Sequence, residues 1–263
     1  MKPNPSFVCI GSGNVGEFLC SALTAKGYKL LQVAGRNDIT TRNLAAIFNC
    51  NHTTNLSELN RNAGFYLITV SDRSIPAVIS QLKPLHAPVF HTSGSTPIEV
   101  LSNEFADAGV LYPLQSISSS RKINPQSVPF LLEPASPVAR ELLIRIASDI
   151  SGNYRETTSV QRMQAHIAAV FASNFTNHCL AMAFDLMKIY GLDHALLQPL
   201  INETMVRCAE IHPAKVQTGP AVRSDNRILE KHELALSSLP QYQKLYTFVS
   251  NSIQDYHTKE VKE

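Results

Sequence analysis

The chain has 263 residues, 44% hydrophobic and 17% charged, with a net charge of +2. This composition supports a sizeable core and excludes global disorder, and the length suits one large domain or two ordinary ones. The small net charge, without any Lys/Arg run, argues against nucleic acid or an anionic membrane as partner, and no apolar stretch is expected to reach membrane-span length.

The opening MKPNPSFVCIGSG lacks a signal-peptide layout, because its short apolar run leads straight into glycines. That run, Phe7–Ile10, reads as a first strand, followed by a helix over Val15–Lys26. Between them, Gly11-Ser12-Gly13-Asn14-Val15-Gly16 is a GxGxxG match between a strand and a helix. In that context Gly11 permits the tight turn, Gly13 lets the backbone approach a pyrophosphate, and Gly16 allows close helix–strand packing. The helix N-terminus offers unpaired N–H groups to phosphates. Alone the motif would be an ordinary glycine turn; its position makes it a dinucleotide site.

The second strand, Lys29–Ala34, ends in Gly35-Arg36-Asn37. An NAD site carries Asp or Glu about 20 residues past the glycine loop. Arg36 stands there instead, and a guanidinium pairs with a 2′-phosphate that a carboxylate would repel. NADP(H) is therefore the expected cofactor, with Asn37 as helper; the alternative is a solvated arginine at a strand end.

Further β-rich runs follow at Phe65–Thr69, Val89–Thr92, Val110–Tyr112, Val128–Leu132 and Asn153–Glu156, with helical patterns at Thr41–Phe48, Ile75–Gln81 and Ser136–Ile150. The alternation predicts an α/β fold, a Rossmann-type parallel sheet with helices on both faces. Ligands bind at the C-terminal edge of such a sheet. Val70-Ser71-Asp72, His91-Thr92-Ser93-Gly94 and Tyr112-Pro113-Leu114-Gln115 should line that crevice.

Near Thr157 the pattern becomes all-helical, which predicts a Rossmann domain over 1–157 and a helical substrate and dimerisation domain over 158–263. A long helix is expected over Ser159–Tyr190, too apolar for a surface helix and so packed on other helices or a second subunit; further helices read at Ala195–Glu210, Asn226–Leu236 and Gln241–Tyr256. At about 100° per residue, Arg162, His166, Ser173 and Asn177 form a polar stripe, with Asn174 about 60–80° further round. His166 is the candidate proton donor, and Ser173 and Asn174 could orient substrate or nicotinamide. Equally, the stripe could face solvent and His166 be a packing residue. The loop Thr218–Asn226 offers helix caps at Ser224, Asp225 or Asn226. With Gln115 from the first half, Thr218, Arg223 and Asp225 are candidate substrate contacts.

The five cysteines, Cys9, Cys20, Cys50, Cys179 and Cys208, are widely spaced and form no CxxC pair, as in a cytoplasmic, reduced chain. No HExxH, His/Cys cluster or GxSxG is present, so no metal and no serine hydrolysis is expected.

In order, GSGNVG, AGRN, TVSD, HTSG, YPLQS, AVFASN and TGPAVRSD resemble the Rossmann-like proteins with a helical C-terminal domain of unknown function. These belong with pyrroline-5-carboxylate reductases, deazaflavin-dependent NADP reductases and 6-phosphogluconate dehydrogenase-like enzymes. The resemblance covers nearly the whole chain. It implies an NADP-binding Rossmann domain and a homodimer formed through the helical half, with Gly11, Ser12, Gly13, Asn14, Val15 and Arg36 as cofactor contacts. The chain departs from the family pattern at Ala165, where a tyrosine usually precedes the histidine, and at Ser224, where a glycine usually stands. The long helix carries only Lys188, near its far end, which argues against the lysine mechanism of β-hydroxyacid dehydrogenases. The expected function is an NADP-dependent oxidoreductase reducing a small imine or carbonyl between the two domains. The alternatives are an NADP(H)-binding sensor without turnover and a glycine loop for another nucleotide or a flavin.

Overall fold

Alternation along the first strand decides the architecture. In β1 (Ser6–Ile10), Phe7 and Cys9 point to one face and Val8 and Ile10 to the other, and all four are buried. A strand buried on both faces needs cover on both. The computed structural model describes residues 5–82 and 85–260. In it, α1 (Asn14–Ala25) and α5 (Pro137–Ile150) pack on the Phe7 face, through Leu19, Leu23, Leu143 and Ile146. On the Val8 face sit α3 (Ile75–Ile79) and α4 (Glu99–Ser102), through Ile75, Ile79 and Leu101. Phe7 stacks on Phe65 with ring centroids 5.3 Å apart.

The remaining strands are β2 (Lys29–Ala34), β3 (Asn51–Thr53), β4 (Phe65–Ile68), β5 (Val89–His91), β6 (Ala108–Pro113), β7 (Phe130–Pro134) and β8 (Tyr154–Glu156). Between β2 and β3 lies α2 (Asp38–Ile47). The sheet order is β3-β2-β1-β4-β5-β6-β7-β8. Its first six strands follow the Rossmann order, which reverses between β1 and β4 and opens a crevice there.

Two features depart from the expected sheet. β7 runs antiparallel to β6. A parallel return needs a crossover long enough to cover a face, and the segment joining these strands holds only a short 3-10 turn at Pro125–Ser127. The edge strand β3 is not legible from periodicity, since Asn-His-Thr has no apolar alternation; its pairing Val33↔His52 with β2 makes it a strand.

The chain forms two compact units, up to Phe175 and from Thr176. The change of sequence character at Thr157 falls inside the first. After β8 comes α6 (Ser159–Ala169), started by a capping box in which Thr158 and Gln161 each receive the other's backbone N–H. It continues as a π-helical segment, Val170–Phe175, and as α7 (Thr176–Ile189) in the second unit. The other helices of that unit are α8 (Gln198–Glu210), α9 (Asn226–Ala235) and α10 (Pro240–Glu260).

The continuous helix Ser159–Ile189 corrects one expectation. It reaches a mean hydropathy of 1.3 over an 18-residue window, so by length and composition it could cross a membrane. Its charged residues lie toward the two ends, leaving the middle without Asp, Glu, Lys or Arg. Ile167, Phe171 and Phe175 are half to two-thirds exposed on the single chain.

Candidate functional site

The glycine loop is shaped by steric necessity at two positions. Gly11 has φ +130°, and a Cβ there would lie 2.5 Å from Oγ1 of Thr69. Gly16 would place a Cβ 2.4 Å from the carbonyl oxygen of Gly11. Gly13 differs: it caps α1 with no side chain of its own, and nothing lies within 4 Å of its Cβ position. That open approach at a helix N-terminus is what a pyrophosphate needs, so the residues fit a dinucleotide.

Beside it is a cavity of about 530 Å³, within the range of small-molecule sites. Gly11, Ser12, Gly13, Arg36, Asn37, Val70 and Ser71 line it, with Leu56, Ala77 and Val78 as apolar wall. Arg36 is exposed at its edge and takes part in no ion pair among the described residues. Asn37 caps α2, its Oδ1 accepting the N–H of Thr40 at 3.1 Å. Ser12 Oγ lies 2.8 Å from Thr40 Oγ1, tying the glycine loop to α2. Asp38, next in the chain, pairs with Arg42 at 2.6 Å. The side chain of Val15 packs on the core, and that of Asn14 donates to the carbonyl of Ile117 at 3.4 Å.

At the C-terminal ends of β4, β5 and β6, polar residues converge with α6. Tyr112 Oη lies 2.9 Å from Nδ1 of His166, the rings edge to face. Gly94 packs against both, since a Cβ there would fall 2.9 Å from each ring. Ser93 Oγ accepts the N–H groups of Ser95 and Thr96, so it shapes its own loop. Ser95 donates to Asp72 and thereby links the loops after β4 and β5. Asp72 follows Ser71 of the cavity and Ser95 follows Gly94, so the Ser95–Asp72 hydrogen bond ties the loop beside the cavity to the loop packed on the Tyr112–His166 pair. Burial, with Asp72 nearby, pushes the Tyr112 hydroxyl pKa up.

Behind this pair lies Arg162, wholly buried. It donates to the carbonyls of Ser93 and Thr96 and to the carboxylate of Glu133 on β7. His91, also buried, accepts the N–H of Ser93 on Nδ1 at 3.2 Å. Burial, then the Arg162 charge, holds its pKa down at about 3.

The expected polar stripe holds for Arg162 and His166 but not beyond. Ser173, half-buried, and the exposed Asn174 lie in the π-helical segment, whose wider turns break the 100° progression. Gln115 is exposed, with its Oε1 accepting the N–H of Ser116. In the second unit, Thr218 lines an apolar cavity of about 340 Å³, Arg223 is exposed, and Asp225 caps α9 by accepting the N–H of Ile228.

Reasoning from sequence left out Glu133 and gave no special role to Arg162, Tyr112 or Asp72. One signal was present: Glu133 ends an otherwise apolar strand, and an acid there calls for a buried cation.

Two family models match the chain. The model described as NADP oxidoreductase coenzyme F420-dependent covers residues 6–90, and the domain of unknown function DUF2520 covers residues 128–253. No curated protein matches. Among solved structures, the Bacteroides fragilis protein BF3122, classed by name with NADP oxidoreductases, is 35% identical; the match covers 96% of this chain and 99% of that one, with a TM-score of 0.88. A 1-pyrroline-5-carboxylate reductase of Streptococcus pyogenes is 12% identical, over 97% of this chain and 100% of its own, with a TM-score of 0.64. An imine reductase of Myxococcus stipitatus, solved with NADP+, is 13% identical, over 98% and 94%, with a TM-score of 0.62. The last two likenesses speak for the fold.

Proposed function

This chain belongs to the family of BF3122, and on that premise, with the NADP oxidoreductase match over residues 6–90 followed by the DUF2520 match over residues 128–253, we propose that it reduces a small imine or carbonyl compound with NADPH. The observation that supports this best is the link, inside one compact unit, from the glycine-loop cavity through Asp72, Ser95 and Gly94 to the Tyr112–His166 pair. Gly11, Ser12 and Gly13 hold the pyrophosphate, Arg36 pairs with the 2′-phosphate, and Asn37 shapes the loop that presents Arg36. Bound NADPH supplies a hydride. His166 supplies the proton, which a reduced nitrogen or oxygen requires. Ser173 and Asn174, with Gln115, are proposed to orient the substrate, and the part from residue 158 onward to carry dimer contacts.

Exposed apolar side chains on the helices favour a homodimer: Ile167, Phe171, Phe175, Leu200, Leu234 and Phe248 are each at least half exposed on the single chain. The free thiols favour a reducing, cytoplasmic setting.

Calorimetric titration with NADPH and NADH, followed by NADPH oxidation across a panel of small imines and ketones, tests the proposal. Tighter binding of NADPH and substrate-dependent oxidation lost in His166→Ala are expected. Binding without turnover across the panel would turn the reading to a sensor, and binding of neither cofactor would overturn it.

A further inference from the structure

We infer that Tyr112 is a positioning residue for proton delivery, and that its hydrogen bond assigns Nε2 of His166 as the nitrogen that gives up the proton. The inference rests on the oxidoreductase reading above and adds to it a residue and an atom. In histidine, the nitrogen free to exchange a proton is decided by what the other nitrogen binds. Here Nδ1 lies 2.9 Å from the Tyr112 hydroxyl, which leaves Nε2 for the substrate.

A hydroxyl suits this place because its oxygen accepts. It accepts from Nδ1–H when the ring is cationic and again in the neutral ring that remains once Nε2 has given up its proton, where Nδ1 keeps its hydrogen. The pair is held from three sides. Tyr112 comes from β6, Gly94 presses its backbone on both rings, and Arg162, one turn before His166, clamps the carbonyls of Ser93 and Thr96 that flank Gly94. With no Cβ on Gly94, the loop can approach this closely; any side chain there would part Tyr112 from His166.

The step balances as follows. The Nε2–H bond of the imidazolium breaks. Its proton joins the substrate nitrogen or oxygen, which bonds it with the electron pair of the former C=N or C=O π bond. NADPH, the reductant, provides the hydride for the carbon, and water returns a proton to Nε2.

The test reads the ring directly. Two-bond 1H–15N correlation spectra of the 15N-labelled full-length chain report the tautomer of His166, with its signals assigned by their loss in His166→Gln. Wild type at pH 8 should show the Nδ1–H tautomer alone, and Tyr112→Phe a mixture. Two tautomers in wild type overturn the inference without recourse to any variant, as does an unchanged distribution in a folded Tyr112→Phe chain. In parallel, NADPH oxidation is followed with 1-pyrroline and cyclohexanone. Tyr112→Phe should lower kcat about 10-fold, part of what a general acid contributes, with KM and NADPH affinity within about 2-fold. A wild-type kcat in that variant also overturns the inference. Wild type that binds NADPH but turns over neither probe counts against the substrate reading alone, and the spectra then decide the role of Tyr112.

Discussion

Arg162 on α6 is fully buried and donates to Glu133 on β7, whose side chain is only 13% exposed. One ion pair thus joins the first turns of the long helix to the sheet, and the same guanidinium holds the loop after β5. Removing one member of such a pair leaves a buried charge uncompensated. Arg162→Met should therefore cost about 3–5 kcal/mol in urea unfolding. Arg162→Met with Glu133→Gln should recover a good part of it; equal losses in the single and double variants would mean that the pair is not coupled.

The glycine loop separates folding from binding. Gly11→Ala meets Thr69 and must hold φ +130° with a side chain, so the melting temperature should fall by several degrees, as expected for about 1–2 kcal/mol. A Cβ at Gly13 meets nothing within 4 Å, so in Gly13→Val the melting temperature should hold while NADPH binding by calorimetry weakens at least about 10-fold. A Gly13→Val chain that binds normally would move the pyrophosphate elsewhere.

Arg36 should decide between the two nicotinamide cofactors. Arg36→Glu removes a charge-assisted contact of about 1.5–3 kcal/mol, which is roughly 10- to 100-fold in affinity for NADPH. NADH, lacking the 2′-phosphate, should change only a few-fold. Equal loss of both in paired titrations would count against this role.

His91 predicts an acid limit on stability. Its pKa is about 3 in the folded chain, against an ordinary value of about 6.5. Between these values the unfolded chain binds the proton and the folded chain does not, so the stabilisation is complete above pH 6.5 and is lost as the pH falls. The loss is about 1.4 kcal/mol per pH unit across that window. Urea midpoints for wild type and His91→Asn at pH 7 and pH 5 isolate it from the carboxylates; parallel pH dependences would refute it.

Ser224 adopts φ +52°, in the left-handed region that glycine tolerates best. Ser224→Gly should raise stability by up to about 1 kcal/mol, the relief of strain being partly offset by glycine's freedom when unfolded. Ser224→Val should lower it by about 1–2 kcal/mol. A thermal melt of each variant reads this directly, and a Ser224→Val chain as stable as wild type would dismiss the strain.

Much of this was legible along the chain. Apolar runs such as Phe7–Ile10 and the glycines after them are local patterns, and strand, turn and helix follow from them because each is decided by neighbours a few residues apart. Arg36 could be placed by its distance from the glycine loop, since the βαβ unit has a nearly constant length. The stripe on the long helix was legible for Arg162 and His166 and lost at Val170, where the helix widens without any proline or glycine to announce it.

The sequence by itself therefore determined a Rossmann-type sheet with helices on both faces, the cofactor loop and its leaning toward NADP(H), because periodicity and turn chemistry are short-range properties. Only the tertiary structure decided that β7 turns back against β6, that Asn51–Thr53 is an edge strand, and that Arg162 is buried on Glu133 rather than displayed on a helix surface. It alone joined Tyr112 to His166, 54 residues apart in the chain. Such a pairing depends on where a sheet edge and a helix face meet, and no spacing within either element records it.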